Sequence, residues 1–419
     1  MISTFLKTFR ALRHRPFRLF MGMQLLSLSG TWMQYVATSW LMYRLTDSAF
    51  YLGLLGFLLY SPSLFLSPLG GVLADRYERR KIMLGIQAVA MGQAVLLAVL
   101  TLTGLVTVAW LLFFSLVLGL TNAIDTPVRH SFVRDLVGEP SDMANAVAIN
   151  SSMFNAARLV GPGIAGVVIA FWGEGVCFLV NAFSFAPVLL FLAGVKLSRV
   201  SRSSKEMKGG FLTGFSYAWG FLPIRALLLL LMVVSMVVGV FQTLLPVFAR
   251  DLFVGGGARL MGYLNSAAGL GAMAGALYLV GRESVVGLGR VISVAAAGLG
   301  AVLMIFSVLP GGWMTSSAAF LFGVSMILAV GSTNMVLQTV VDDDKRGRLM
   351  SLYGVCFLGV VPLGSLMAGV GGEVLGPRGT LLVSGGISIV AAFLYRTQLK
   401  RIRKIIRPVY VERGLLPEA

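Results

Sequence analysis

Little in this chain can ionise and almost nothing in it can ligate. Of 419 residues, 12% are Asp, Glu, Lys or Arg, and only 2 are Cys and 2 are His. Cys177 and Cys356 both fall inside long apolar runs, where they read as small buried hydrophobes and not as a structural disulfide. His14 and His130 stand alone, without the spacing that metal ligands need, so no metal and no cofactor is expected. No nucleophile and base recur in an arrangement for covalent catalysis, which points away from an enzyme. Acid is scarcer than base, 17 Asp and Glu against 34 Lys and Arg, for a formal net charge of +17. What abounds is hydrophobe, 57% of the chain, and the mean hydropathy of +0.87 is out of reach for a soluble globular domain.

The apolar residues are gathered into runs. A helix needs ~20 mostly apolar residues to cross a ~30 Å hydrocarbon core. Hydropathy predicts twelve such spans, at 17–42, 51–74, 82–103, 107–128, 143–170, 174–195, 221–247, 259–280, 290–309, 313–340, 349–371 and 376–395. The chain therefore reads as an all-α membrane protein, with the lipid bilayer as its first partner. The first run is too long for a cleavable signal peptide and follows a basic arm, so it is expected to remain as span 1. With the N-terminus inside, 29 of the 34 Lys and Arg lie in inner segments, all but Arg44, Arg158, Arg250, Arg259 and Arg378. So strong a bias predicts a multi-pass protein with both termini in the cytoplasm. It also accounts for the net charge, through orientation and attraction to anionic headgroups, and leaves nothing for a nucleic acid partner to explain.

One compositional break divides the runs. Segment 196–220 interleaves Lys196, Arg199, Arg202, Lys205 and Lys208 with serines, and residues 211–221 are expected to form a short helix on the inner surface. This cytoplasmic linker separates a six-span bundle at 1–195 from another at 221–395, followed by a basic tail at 396–419. Arg158-Leu159-Val160-Gly161-Pro162 in span 5 and Leu358-Gly359-Val360-Val361-Pro362 in span 11 form a thin internal repeat. Linked six-span halves are the layout of secondary transporters, whose binding site lies between repeats. Span 8 spaces Gly262 from Ser266 and Gly271 from Gly275 by four residues, which lets membrane helices approach closely.

Inside the spans the few polar side chains fall on stripes. Span 1 carries Gln24, Ser27, Thr31, Gln34 and Thr38, three or four residues apart and so on one helical face. Span 4 offers Ser115, Asn122 and Asp125, span 7 Ser235 and Gln242, and span 10 Asn334 and Gln338. Such stripes are expected to face water or ligand, though the same residue types also glue helices together by hydrogen bonds. Span 5 holds Asn155-x-x-Arg158-x-x-Gly161-Pro162. An arginine that deep is costly, and it faces a bundle interior or an aqueous path. Asn155 lies one turn away on the same face, and Gly161-Pro162 permits a bend.

Between spans 2 and 3 runs Gly71-Val72-Leu73-Ala74-Asp75-Arg76-Tyr77-Glu78-Arg79-Arg80. It resembles the loop between helices 2 and 3 of the major facilitator superfamily, with Glu78 where the family usually has glycine. The resemblance implies twelve transmembrane helices in two six-helix pseudo-symmetric bundles, and a central cavity lined by helices 1, 4, 7 and 10. It implies a charge lock formed by Gly71, Asp75, Arg76, Arg79 and Arg80, in which Asp75, with Arg129 and the start of span 11, holds the cytoplasmic side shut. Ala157, Gly161, Pro162 and Gly166 resemble the span-5 signature of superfamily antiporters, which implies export. Together with Leu45-Thr46-Asp47-Ser48-Ala49 and Asp125-x-Pro127-x-Arg129, these stretches are similar to the branch that contains enterobactin exporters and macrolide efflux proteins.

The expected protein is a monomeric exporter in a bacterial inner membrane. It moves a small amphipathic organic molecule, siderophore or drug-like, in exchange for protons. Substrate or protons are expected to meet Gln24, Thr31, Gln34, Asn122, Asp125, Asn155, Arg158, Gln242, Asn334 and Gln338. A lipid or lysophospholipid flippase on the same scaffold, or a non-transporting membrane scaffold or receptor, remains open at this stage. Asp75→Asn is predicted to abolish transport in vesicles while leaving insertion and expression near normal. Full activity of that variant would remove the lock.

Overall fold

A computed structural model describes residues 10–137, 139–195, 217–253, 256–282, 284–342 and 345–416, without the side chains of Ser67, Pro68, Gly71, Asp75 and Pro140. The elements are helical throughout. A 3-10 turn at Arg10–Arg13 leads into α1 (Arg15–Thr46), α2 (Ala49–Arg76), α3 (Arg79–Leu102) and α4 (Val108–Val137). A second 3-10 turn, Pro140–Asp142, precedes α5 (Met143–Trp172) and α6 (Glu174–Gly194). Then come α7 (Leu222–Val247) with a π turn at Phe248–Leu252, α8 (Ala258–Val280), α9 (Leu288–Val308), α10 (Trp313–Val340), α11 (Arg346–Leu358), α12 (Val361–Val374) and α13 (Gly376–Glu412).

Among the described residues, 11 helical segments are long and apolar enough to cross a membrane, with α11 and α12 acting as one. The expected first span, α1, stands outside that set although it is 32 residues long. Its two glutamines and its hydroxyls dilute its hydropathy, so its crossing rests on length and on its place in the bundle.

Backbone chemistry sets the joints. Pro16 opens α1, where its missing N–H costs nothing. The same helix closes on Asp47, whose φ of 49° is left-handed and whose N–H returns to the Tyr43 carbonyl. The repeat noted above behaves differently in its two copies. Pro162 is carried inside an unbroken α5, whereas the chain breaks at Gly359-Val360 and Pro362 starts α12.

The described residues cluster into two compact units. The first gathers those of Met1–Asp47, Leu58–Lys205 and Gly257–Ser266, and the second those of Ser48–Phe57, Glu206–Gly256 and Ala267–Ala419. In the first, α1 packs on α5 and α6, and α3 on α4 and α6. In the second, α7 packs on α12 and α13, and α9 on α10 and α13. The pairing order is the same in both, as an internal repeat requires. The linker and residues 211–216 of the expected surface helix lie outside the described residues, and 217–220 are helical. The basic tail expected at 396–419 continues α13 as helix to Glu412, with Leu399, Ile402 and Ile406 turned into the second unit and Arg396, Lys400, Arg403 and Arg407 turned out.

Helix contacts are backbone-close. In the second unit a Cβ on Gly323 of α10 would meet the Ala268 carbonyl of α8 at 1.9 Å, and one on Gly271 would meet the Phe320 carbonyl at 1.9 Å. Backbone cannot swing aside, so Gly323→Ala must push α8 and α10 apart. We expect a loss of about 1–3 kcal/mol, read as a lower unfolding temperature of the detergent-purified protein. Gly92→Ala, with nothing within 4 Å of the added carbon, should stay at or above the parent. Equal melting of the two variants would contradict this contact.

Candidate functional site

The polar stripe of α1 does not face water. Gln24 and Gln34 are each 1% exposed, and Ser27, Thr31 and Thr38 are buried as well. Gln34 Oε1 accepts from Asn181 Nδ2 of α6 at 2.5 Å, and Gln34 Nε2 donates to Gln93 Oε1 of α3 at 3.1 Å. Thr31 donates to the Ser27 carbonyl of its own helix at 2.9 Å. Gln24, Thr31 and Gln34, expected to meet substrate or protons, are buried inside the first unit in this structure. The physical reason is that α3 and α6 carry amides of their own, and amides in hydrocarbon pair before they hydrate.

Asp125 and Arg129, one turn apart on α4, form a buried ion pair at 3.4 Å, and Gln87 of α3 donates to Asp125 Oδ1 at 3.2 Å. Among the described side chains, Arg129 Nε and Nη1 have no acceptor. The Asp75 carboxylate, expected as the partner of Arg129, lies outside the described residues, as does the side-chain position of Gly71.

The cations of the loop after α2 are tied to the first unit. Arg79 donates to Asp135 of α4 at 2.6 Å and to the Ala74 carbonyl at 3.0 Å. Arg80 donates to the Leu192 and Ala193 carbonyls, at 2.5 and 2.6 Å, and so closes the C-terminal end of α6, where carbonyls lack helical partners. Arg76 is exposed, and Glu78 pairs with Lys81 at 3.2 Å.

Arg158 stands midway along α5 and is half-buried. Its guanidinium carbon lies 5.7 Å from the Trp32 ring centroid, and Trp32 in turn meets Tyr35 edge-on at 5.3 Å and Phe154 at 5.8 Å. Asn122 donates to the Tyr35 hydroxyl at 2.7 Å, and Tyr60 is close enough to feel the charge of Arg158. These side chains come from α1, α2, α4 and α5 and make one half-open aromatic cluster around a cation. Sequence analysis isolates Arg158 and Asn122 but not Trp32, Tyr35 and Tyr60. The signal that joins them is the one-turn spacing of Trp32 and Tyr35 on the half-buried edge of α1. Asn155 is exposed and bonds back to Ser151 of its own helix at 2.9 Å, away from this cluster.

The span-5 signature serves packing. Ala157 and Pro162 are buried. A Cβ on Gly161 would strike the Ser29 carbonyl of α1 at 2.6 Å, and one on Gly166 would reach Gly262 of α8 at 2.8 Å. In the second unit Gln338 Nε2 donates to Asn334 Oδ1 at 2.5 Å, Tyr353 lies beside Asn334, and Gln242 is half-buried.

His14, Glu139 and Asp142 bring ligand-type atoms within 4.8 Å of one another. Arginines fill the spot: Arg10 and Arg13 both pair with Asp142, Arg13 also with Glu139, and His14 bonds Asp142 at 2.9 Å. This ties the first 3-10 turn to the connection between α4 and α5. The Asp142 carboxylate has no exposed surface, its cover being these basic side chains. The His14 hydrogen bond, with Arg10 and Arg13 beside it, holds its pKa below the usual carboxylate range.

The fold and this site define a polytopic helical membrane protein of two like-paired units, carrying a cation among aromatic rings at mid-depth. The chain belongs to the transmembrane secretion effector family of the major facilitator superfamily, whose family model matches residues 6–407. It is 24% identical to the staphyloferrin A transporter of Staphylococcus aureus, over 90% of this chain and 94% of that one. It is 21% identical to macrolide efflux protein A of Streptococcus pyogenes, over 86% and 90%. The nucleoside transporter NupG shares its fold, with a TM-score of 0.73, 14% identity and coverage of 92% and 99%. The family is one of transporters and not of enzymes.

A depressed carboxylate pKa stabilises the fold above the unfolded value of about 3.9 and loses that contribution as pH falls through the folded value. Acidifying the purified protein below about pH 4 should therefore weaken the contact of the first turn with the α4–α5 connection. Asp142→Asn should show the weakened state at neutral pH and a flatter acid limb in thermal unfolding. An acid limb unchanged by the substitution would exclude this carboxylate as its source.

Proposed function

We propose that this chain exports an amphipathic organic molecule, siderophore or drug-like, from the cytoplasm by alternating access of two six-helix halves, in exchange for protons. Membership of a secretion effector family supports export, as do efflux relatives aligned over most of both chains. The observation that carries the reading is the half-open cluster around Arg158. A guanidinium retained at mid-depth among aromatic rings is costly to the fold and useful only to a solute. Hydropathy and the charge bias support twelve crossings with both termini inside, in a protein that acts as a monomer.

In this reading Asp125 is the proton carrier, since no other acid lies so deep in a span, with Arg129 its ion-pair partner one turn on. The Asp75 lock is retained: two buried Arg129 donors lack acceptors among the described side chains, which is what a nearby carboxylate would satisfy.

Transport into everted vesicles with and without an imposed pH gradient tests coupling. We expect accumulation of a reporter dye to follow the gradient in the parent and to lose that dependence in Asp125→Asn. Gradient-independent accumulation by the parent would make the protein a facilitated carrier.

A further inference from the structure

We infer that one face of α13 is a binding surface for anionic phospholipid, whose phosphate lies on Lys400, Arg401, Lys404 and Arg407 while its acyl chains lie along the apolar part of the same helix. The contact does not depend on the export reading; only the choice of the inner leaflet rests on the proposed orientation.

Three observations carry it. First, the face that is open to lipid and the face that carries charge are the same. Residues seven apart on an α-helix lie two turns apart on one side. Val383, Val390, Thr397 and Lys404 make one such row, Ile387, Leu394 and Arg401 a second, and Phe393, Lys400 and Arg407 a third. Every member is exposed, the five hydrophobes by between 42% and 64%. Large apolar side chains left open on a bilayer helix meet acyl chains, so each row runs from hydrocarbon to cation. Arg401 stands about 10 Å along the axis from Leu394 and Lys404 about 15 Å, a step that takes a helix from the hydrocarbon into the headgroups. Second, the opposite side of the helix is fixed. Leu399, Ile402 and Ile406 are buried, a Cβ on Gly289 of α9 would meet Leu399 Cδ1 at 2.8 Å, and Arg413 donates to the Val341 carbonyl after α10 at 2.9 Å. The extension is therefore held to the second unit with its cations facing the way its hydrophobes face. Third, Glu412 is the only acid among the 37 residues of α13. A solvated helix mixes Glu among its Lys and Arg at four-residue spacing. Like charges without acids between them are relieved by an anionic surface, each Lys or Arg close to it adding about fivefold to binding.

The bias of Lys and Arg towards inner segments is indifferent to the side of a helix they take. Arg396 and Arg403 satisfy it as well as Arg401 and Lys404 do, yet they form a row on the far side from Arg401. A soluble polyanion would need the cations alone; their continuity with hydrocarbon-facing side chains selects a molecule that has both parts.

The test uses the full chain, delipidated in a nonionic detergent, with dioleoyl phosphatidylglycerol, dioleoyl phosphatidylcholine and glycerol phosphate as probes. Binding is read by native mass spectrometry and by the rise in unfolding temperature. We expect phosphatidylglycerol to bind more tightly than phosphatidylcholine by about tenfold or more, the preference shrinking as salt is added. Arg401→Gln with Lys404→Gln should weaken phosphatidylglycerol binding by about ten- to thirtyfold. Arg396→Gln with Arg403→Gln removes the same charge from the other row and should change it by less than about threefold. Glycerol phosphate, which has the anion without the chains, should not compete. Should the first pair of substitutions fail to fold, the comparison of the two lipids on the parent, with Lys404→Gln alone, still decides. Equal binding of the two lipids, equal loss from the two pairs of substitutions, or competition by glycerol phosphate would each overturn the inference. So would a short RNA that displaces phosphatidylglycerol, which would make the face a site for a soluble polyanion.

Discussion

Lipid chains are as apolar as leucine, so the hydrophobic effect that gathers helices in water does nothing to gather them in a bilayer. What remains is close approach and buried hydrogen bonding, and this chain uses both. Glycines let α8 and α10 meet backbone to backbone. Gln34 stitches α1 to α3 and α6 through Gln93 and Asn181. The large side chains point the other way: Leu190 is 74% exposed and Phe183 66%. In water that surface would aggregate; against lipid it is the ordinary outside of the fold.

Charge is placed by the same constraint. Most ionised groups stand at helix ends, where they cost little and can join elements. Arg44 meets Glu174 at 2.9 Å across the α1 and α6 ends, Arg80 closes α6, and Asp142 gathers three basic residues. Those that lie deep are few, and they lie close to other polar or aromatic side chains. Asp125 sits between Arg129 and Gln87, and Arg158 lies over Trp32. Removing one member of such a set leaves another buried and uncompensated, which is why deep charges come in groups.

The helical, apolar character of the chain and the cost of Arg158 were legible in the residues, because each follows from hydropathy or charge along one helix. The facing of the α1 stripe was not. Helical spacing says that Gln24, Gln34 and Thr38 share a face; it does not say what that face meets. Its partners, Gln93 and Asn181, are 59 and 147 residues from Gln34, each in a different span. Amides recurring in three separate apolar spans were the available hint that they pair with one another. The end of α13 was misjudged for a related reason. The cations of 396–419 read as a tail, yet Leu399, Ile402 and Ile406 recur at helical spacing and continue the buried side of the span.

The two units repeat a backbone, not a chemistry. Gly161 lets α5 approach α1 in the first unit, and Gly239 lets α7 approach α12 in the second, at the corresponding crossing. That contact depends only on the absence of a side chain, so it survives when the surrounding residues diverge. A deep cation is different, because a second copy would double the cost without adding a second solute. The first unit therefore keeps Asp125, Arg129 and Arg158, while α7 and α10 carry no ionisable residue within their spans beyond Arg225 at the very start of α7. One half carries the deep charges, and the repeat supplies two frames of like geometry.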